Sequence, residues 1–102
     1  MSEPEILVAD NPEAGRFEAR LGGATAVSEY KLASDVMIFT HTEVPQELEG
    51  KGVGSALVRG ALDHARAHGY KVAPICPFVA AWIRRHSEYG DLIHPRFRYM
   101  VR

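Results

Sequence analysis

Residues 50–54 read Gly50-Lys51-Gly52-Val53-Gly54. Three glycines at alternating positions leave backbone N–H groups bare. The segment lies between an apolar run closed by Pro45 and an amphipathic stretch, so it sits where a strand ends and a helix begins. A helix start carries unpaired amides and about half a positive charge. Together these features suit a phosphate or pyrophosphate. Lys51 either adds a positive charge there or points to solvent. Two familiar phosphate loops are excluded. The nucleotide-hydrolase loop needs Gly-x4-Gly-Lys-Ser/Thr, but Gly52 follows Gly50-Lys51 and the earlier glycine is missing. The dinucleotide fingerprint needs Gly-x-Gly-x-x-Gly, and here the spacing is Gly-x-Gly-x-Gly. A tight turn without a ligand is the competing reading of the glycines taken alone.

Two further side chains carry chemistry. His41 suits a general base, because histidine changes charge near neutral pH; the plainer alternative is a hydrogen-bonded strand histidine. Cys76 is the single cysteine. It suits an acid, a nucleophile, or merely a small buried hydrophobe. His64 and His68 stand four apart, but a zinc site wants three or four ligands and no partner is evident, so a structural or solvated role is expected. Arg84 and Arg85 suit either a phosphate contact or the solvated face of a helix. Trp82 and Ile83 read as core and Tyr89 as structural.

The elements that must position these residues follow from periodicity. Ile6–Ala9 is a short apolar run read as a strand, and residues 10–15 are rich in turn formers. Arg16–Leu21 and Ala24–Leu32 alternate, as half-buried strands do, with Gly22-Gly23 as the turn between them. Val36–Val44 starts as a continuous apolar run and then alternates, which predicts a central strand covered on both faces at its start. A helix is expected from about Val53 to Ala67 or His68, its stripe formed by Gly54, Leu57, Val58, Ala61, Leu62 and Ala65. Gly69 stops it. Lys71–Cys76 reads as a strand parallel to the fourth, and Pro77 or Phe78 opens a second helix to about His86, ended by Tyr89-Gly90-Asp91. Ile93–Val101 is expected to add an edge segment. The order is ββββαβα: an α+β fold whose mixed sheet joins an antiparallel meander to a parallel pair.

With those elements in place, Glu49-Gly50-Lys51-Gly52-Val53-Gly54 resembles the acyl-coenzyme A loop of the GCN5-related N-acetyltransferases, Gln/Arg-x-x-Gly-x-Gly/Ala, in the same strand-loop-helix setting. The resemblance spans roughly residues 6–95. It extends to the very small YjdJ-like branch through Phe39–Pro45, Leu48–Leu57, Cys76–Val79 and Arg84–Tyr89. It implies an N-acetyltransferase that takes acetyl-CoA (coenzyme A) as co-substrate and uses no metal. The amides of Gly50, Lys51, Gly52, Val53, Gly54 and Ser55 would hold the pyrophosphate. The strand end Thr42, Glu43 and Val44 would splay from its neighbour to admit pantetheine. His41 would be the general base, and Cys76 the acid for the leaving thiolate or a transient acetyl acceptor, with both side chains flanking the gap where the thioester lies. Three departures stand out: Glu49 replaces the usual Gln or Arg, the last helix has no Asn at its start, and Tyr89 lies beyond the helix end. The acceptor implied is an amine of a small molecule or protein. The alternative is a CoA-binding or regulatory module without turnover.

Length and composition bound these readings. The chain has 102 residues, enough for one domain. Apolar residues form 46% and charged residues 25%, which excludes a disordered class. No apolar run approaches a membrane span. The start, Met1-Ser2-Glu3-Pro4-Glu5, is acidic and lacks the shape of a secretory signal. A lone cysteine fits a reducing cytoplasm. A net charge of -1 argues against nucleic acid as a partner. The first fifty residues hold ten acids and three bases, and the remainder nine bases and three acids. That asymmetry suits a protein holding an anionic ligand and a cationic one, or two halves that neutralise each other. A monomer or weak homodimer is expected.

Overall fold

The computed structural model describes residues 5–102; the first four residues of the acidic N-terminal segment lie outside the described residues. The elements are β1 (Leu7–Asn11), β2 (Arg16–Leu21), β3 (Ala24–Ala33), β4 (Val36–Glu43), α1 (Val53–Ala67), β5 (Lys71–Pro74) and α2 (Pro77–Arg85). They form one mixed sheet in the order β1-β2-β3-β4-β5. The first four strands pair antiparallel, and β4 pairs parallel with β5. Alternation explains the meander: Phe17 and Ala19 of β2, and Ala26, Ser28 and Tyr30 of β3, all turn to one buried face.

Helix α1 lies across β1, β2 and β3 on that face. Its buried stripe is Val53, Leu57, Val58, Ala61, Leu62 and Ala65. Val53 takes the place expected for Gly54. Phe17, Tyr30 and Phe39 meet the stripe from the sheet, with Phe17 and Tyr30 ring centres 5.1 Å apart. The helix comes so close to β1 that a Cβ on Gly60 would stand 2.7 Å from Val8 Cγ1. Helix α2 opens on Pro77, whose missing N–H costs nothing in a first turn. It docks through the buried Trp82, whose indole N–H donates to Ser55 Oγ at 2.9 Å.

Four expectations need correction. First, β1 runs on through Asp10 and Asn11, read as turn, because both residues pair with β2 and Asp10 accepts the Tyr30 hydroxyl at 2.7 Å. Second, β5 stops at Pro74 rather than Cys76. Third, the start of β4 is covered on one face only: Met37 and Phe39 are buried, while Val36 and Ile38 stay half-buried. Fourth, the tail is not an edge strand. Ile93 makes a single bridge to Val72, and Pro95–Val101 then coils into a short 3₁₀ helix, since Pro95 has no N–H to continue a ladder.

Candidate functional site

Two glycines shape the entry to α1. Gly50 and Gly52 hold φ of +77° and +78°, a backbone region that disfavours side chains. Gly52 is the residue before the first helical turn, and no side chain caps that end. The first bond of the helix runs from the Ala56 N–H to the Gly52 carbonyl at 3.0 Å. The amides of Val53, Gly54 and Ser55 therefore have no helical acceptor. They open on a cleft of about 290 Å³ lined by Val44, Leu48, Glu49, Gly50, Gly52, Val53, Gly54, Ser55 and Phe78. Val44 and Phe78 crowd Gly54: a Cβ there would meet Phe78 Cζ at 2.8 Å and Val44 Cγ2 at 3.4 Å.

Beside this cleft the sheet opens. The last β4–β5 pair is Phe39 with Pro74, and a final bond joins the Cys76 N–H to the Phe39 carbonyl at 2.9 Å. Beyond it the chain leaves as α2, while β4 continues to Glu43 with β3 as its partner. The strands thus part at the point where Cys76 stands. Cys76 is 3% exposed and precedes α2, whose first bond returns from the Ala80 N–H to the Cys76 carbonyl.

A β-bulge decides which β4 side chains face this sulfur. Tyr30 pairs with Phe39, but Glu29 pairs with His41, so Thr40 is an extra residue in β4. Simple alternation from buried Phe39 would put His41 on the Cys76 side. The bulge instead turns Thr42 inward and His41 outward. The Cys76 thiol donates to Thr42 Oγ1 at 3.4 Å, and Thr42 lies 3.2 Å from Ser28 Oγ. His41 is exposed, with Nε2 3.2 Å from Glu43 Oε1. His41 and Cys76 therefore reach the parting strands from opposite faces of the sheet and do not flank one gap as expected, because the extra residue at Thr40 reverses the alternation.

The structure brings Val44, Gly50, Gly52, Val53, Gly54 and Ser55 together around the cleft. Thr42 stands with Cys76, Glu43 with His41, and Lys51 is exposed outside the lining. Leu48 and Phe78 were missed as lining residues. An apolar residue before the glycine loop and another just after Cys76-Pro77 are the only signals either left in the sequence. Thr42 and Ser28 as partners of the thiol were also missed. Arg84 donates to the Met100 carbonyl at 2.9 Å, which ties it to the C-terminal segment, while Arg85 is exposed. His64 and His68 stack at 4.0 Å, and among the described residues no group of three or more His, Cys, Asp or Glu is placed to hold a metal ion. Tyr89 is buried and donates to Asp63 Oδ1 at 2.8 Å; burial first, and that bond second, push its phenol above the usual range.

A meander opening into a parallel pair, with a bare helix end at the fork, defines an α+β domain. A family model described as GCN5-related N-acetyl-transferase matches residues 16–92, and the chain belongs to that family. The matched span runs from β2 through α2 and includes the loop, the bulge and Cys76.

Proposed function

We propose that this chain is an N-acetyltransferase that takes an acetyl group from acetyl-CoA and delivers it to an amine. The observation that carries the reading is the bare amide set at the start of α1, which opens on a cleft beside the parting of β4 and β5. The donor set fits the group: unpaired N–H donors and a helix end for a pyrophosphate, and free strand-edge groups at Thr42, Glu43 and Val44 for the amides of pantetheine. Acetyl-CoA supplies an activated acetyl group as a thioester. Transfer forms a carbon–nitrogen bond and breaks a carbon–sulfur bond, so a proton must leave nitrogen and one must reach sulfur. His41 is the base: its Nε2 stands 3.2 Å from Glu43 Oε1, and a ring nitrogen takes the amine proton on the outer face. Cys76 is the acid on the inner face, giving its proton to the departing sulfur.

The experiment is a calorimetric titration with coenzyme A followed by acetyl transfer to polyamines, lysine peptides and arylamines. Binding and transfer are expected, with His41→Ala losing about 10²- to 10⁴-fold in rate, the range for a positioned base. Binding without transfer to any amine would make the chain a CoA-binding module. Mass spectrometry of the trapped enzyme checks the route: an acetyl-Cys76 adduct that decays at the turnover rate replaces the direct transfer with a two-step one.

A further inference from the structure

We propose that Ser28 and Thr42 are positioning residues for Cys76, two hydroxyls that turn together to serve the sulfur in both its protonated and its ionised form. The inference rests on the reading of Cys76 given above. Ser28 is 0% exposed, on the face of β3 that otherwise carries Ala26 and Tyr30 into the core. A hydroxyl there costs free energy unless it is bonded, and alanine would fill the position without that cost. Its partner is Thr42 at 3.2 Å, directly across the strand pair, and Thr42 in turn receives the Cys76 thiol at 3.4 Å. Thr42 faces inward only because of the extra residue at Thr40.

Proton positions follow from what each group can donate. With Cys76 protonated, its S–H points to Thr42 Oγ1 and the Thr42 O–H points to Ser28 Oγ. When the sulfur gives its proton to the leaving thiolate, Thr42 turns its O–H to the Cys76 sulfur and Ser28 turns its own to Thr42. Two bond rotations do this, and no heavy atom moves. The ionised sulfur then holds a charge-assisted bond in a buried place. Over a cycle His41 releases the amine's proton to solvent and Cys76 takes one back, so the net change is one proton from the amine to the thiol product.

The test uses Thr42→Val, Thr42→Ser and Ser28→Ala. The first readout is the rate at which iodoacetamide alkylates the sole cysteine at fixed neutral pH, since only the thiolate reacts. The second is the split of kcat and KM in acetyl transfer. Thr42→Val should slow alkylation about tenfold and lower kcat about as much, the worth of one hydrogen bond to a charged group. KM for the thioester should stay within about twofold, because the loop amides are untouched. Thr42→Ser should match the parent in both, and Ser28→Ala should fall between; Ser28→Ala alone decides the matter if Thr42→Val does not fold. Parent-like alkylation in Thr42→Val overturns the proposal. So does a faster rate in Thr42→Ser, which would mean that access governs the sulfur. If Cys76→Ala transfers acetyl at the parental rate, the acid assignment falls, and the alkylation arm still decides whether the hydroxyl pair controls the thiol.

Discussion

At the scale of single residues, the glycines of the loop divide into two kinds. Gly52 is needed for its backbone angle, and nothing lies within 4 Å of where a Cβ would be. Gly52→Ala therefore meets strain and not collision, about 1–2 kcal/mol for a left-handed residue, and circular dichroism should show a melting temperature lower by several degrees. Gly54 is needed for space. Phe78 is 41% exposed, so its ring can swing away from a new methyl group. Gly54→Ala should leave the melting temperature nearly unchanged while weakening coenzyme A binding, as isothermal calorimetry would record. The same division limits what the sequence disclosed. Spacing exposed the glycine cluster, but no pattern in one dimension separates a residue kept for its angle from one kept for its neighbour. Cys76 and His41 stood out as reactive types, whereas Ser28 looked like any polar residue in an alternating strand.

At the scale of elements, the contact between α1 and β1 is set by Gly60. A Cβ there would meet not only Val8 Cγ1 but Val8 Cβ, at 3.3 Å, so rotating the valine does not make room. Gly60→Ala should destabilise by about 1–3 kcal/mol, the usual cost of overfilling a packed contact, with acetyl transfer intact below the transition. The pairing of Gly54→Ala with Gly60→Ala thus separates binding from stability along one helix. Element types and order were readable from alternation and helical stripes, and β2, α1 and α2 lie within a residue or two of expectation. The bulge was not readable. Thr40-His41-Thr42 is a plain polar alternation, and only the register with β3 shows that one residue is supernumerary. The tail failed for a related reason: an apolar-polar mixture after a lone bridge satisfies strand and 3₁₀ patterns equally.

At the scale of the whole molecule, charge is sorted but not cancelled across the fold. Glu18 is held by Arg16 at 2.9 Å and Arg20 at 3.3 Å, and Arg66 by Asp91 at 2.8 Å, so these ion pairs lie within each half of the chain. Among the described residues, the contact of His64 with Asp10 at 3.8 Å is the pair that crosses. The bonds from Arg16 and Asn11 hold the Glu18 carboxyl below its ordinary value of 4.5. A carboxyl lowered by folding stabilises the native state above its unfolded value, and the benefit fades as pH falls through the folded one. The gap in melting temperature between the parent and Glu18→Gln should therefore be widest near neutrality and shrink below pH 4.5, as thermal scans across pH would show. The acidic first half also carries the face where His41, Glu29 and Glu43 sit. Transfer to cationic amines should accordingly outpace transfer to neutral ones and slow with added salt. Equal rates on both would remove charge steering from the scheme.

The supernumerary Thr40 has one more consequence. It works as a spacer that fixes parity: residues before it and after it count from different origins. Excising Thr40 would restore unbroken alternation, with Phe39 inward, the imidazole outward and the threonine hydroxyl inward, and so leave its neighbours' assignments as they are. Only drawing Thr40 into the ladder, with the pairing beyond it slipped by one place, would reverse them and bring the imidazole to the side where Cys76 stands.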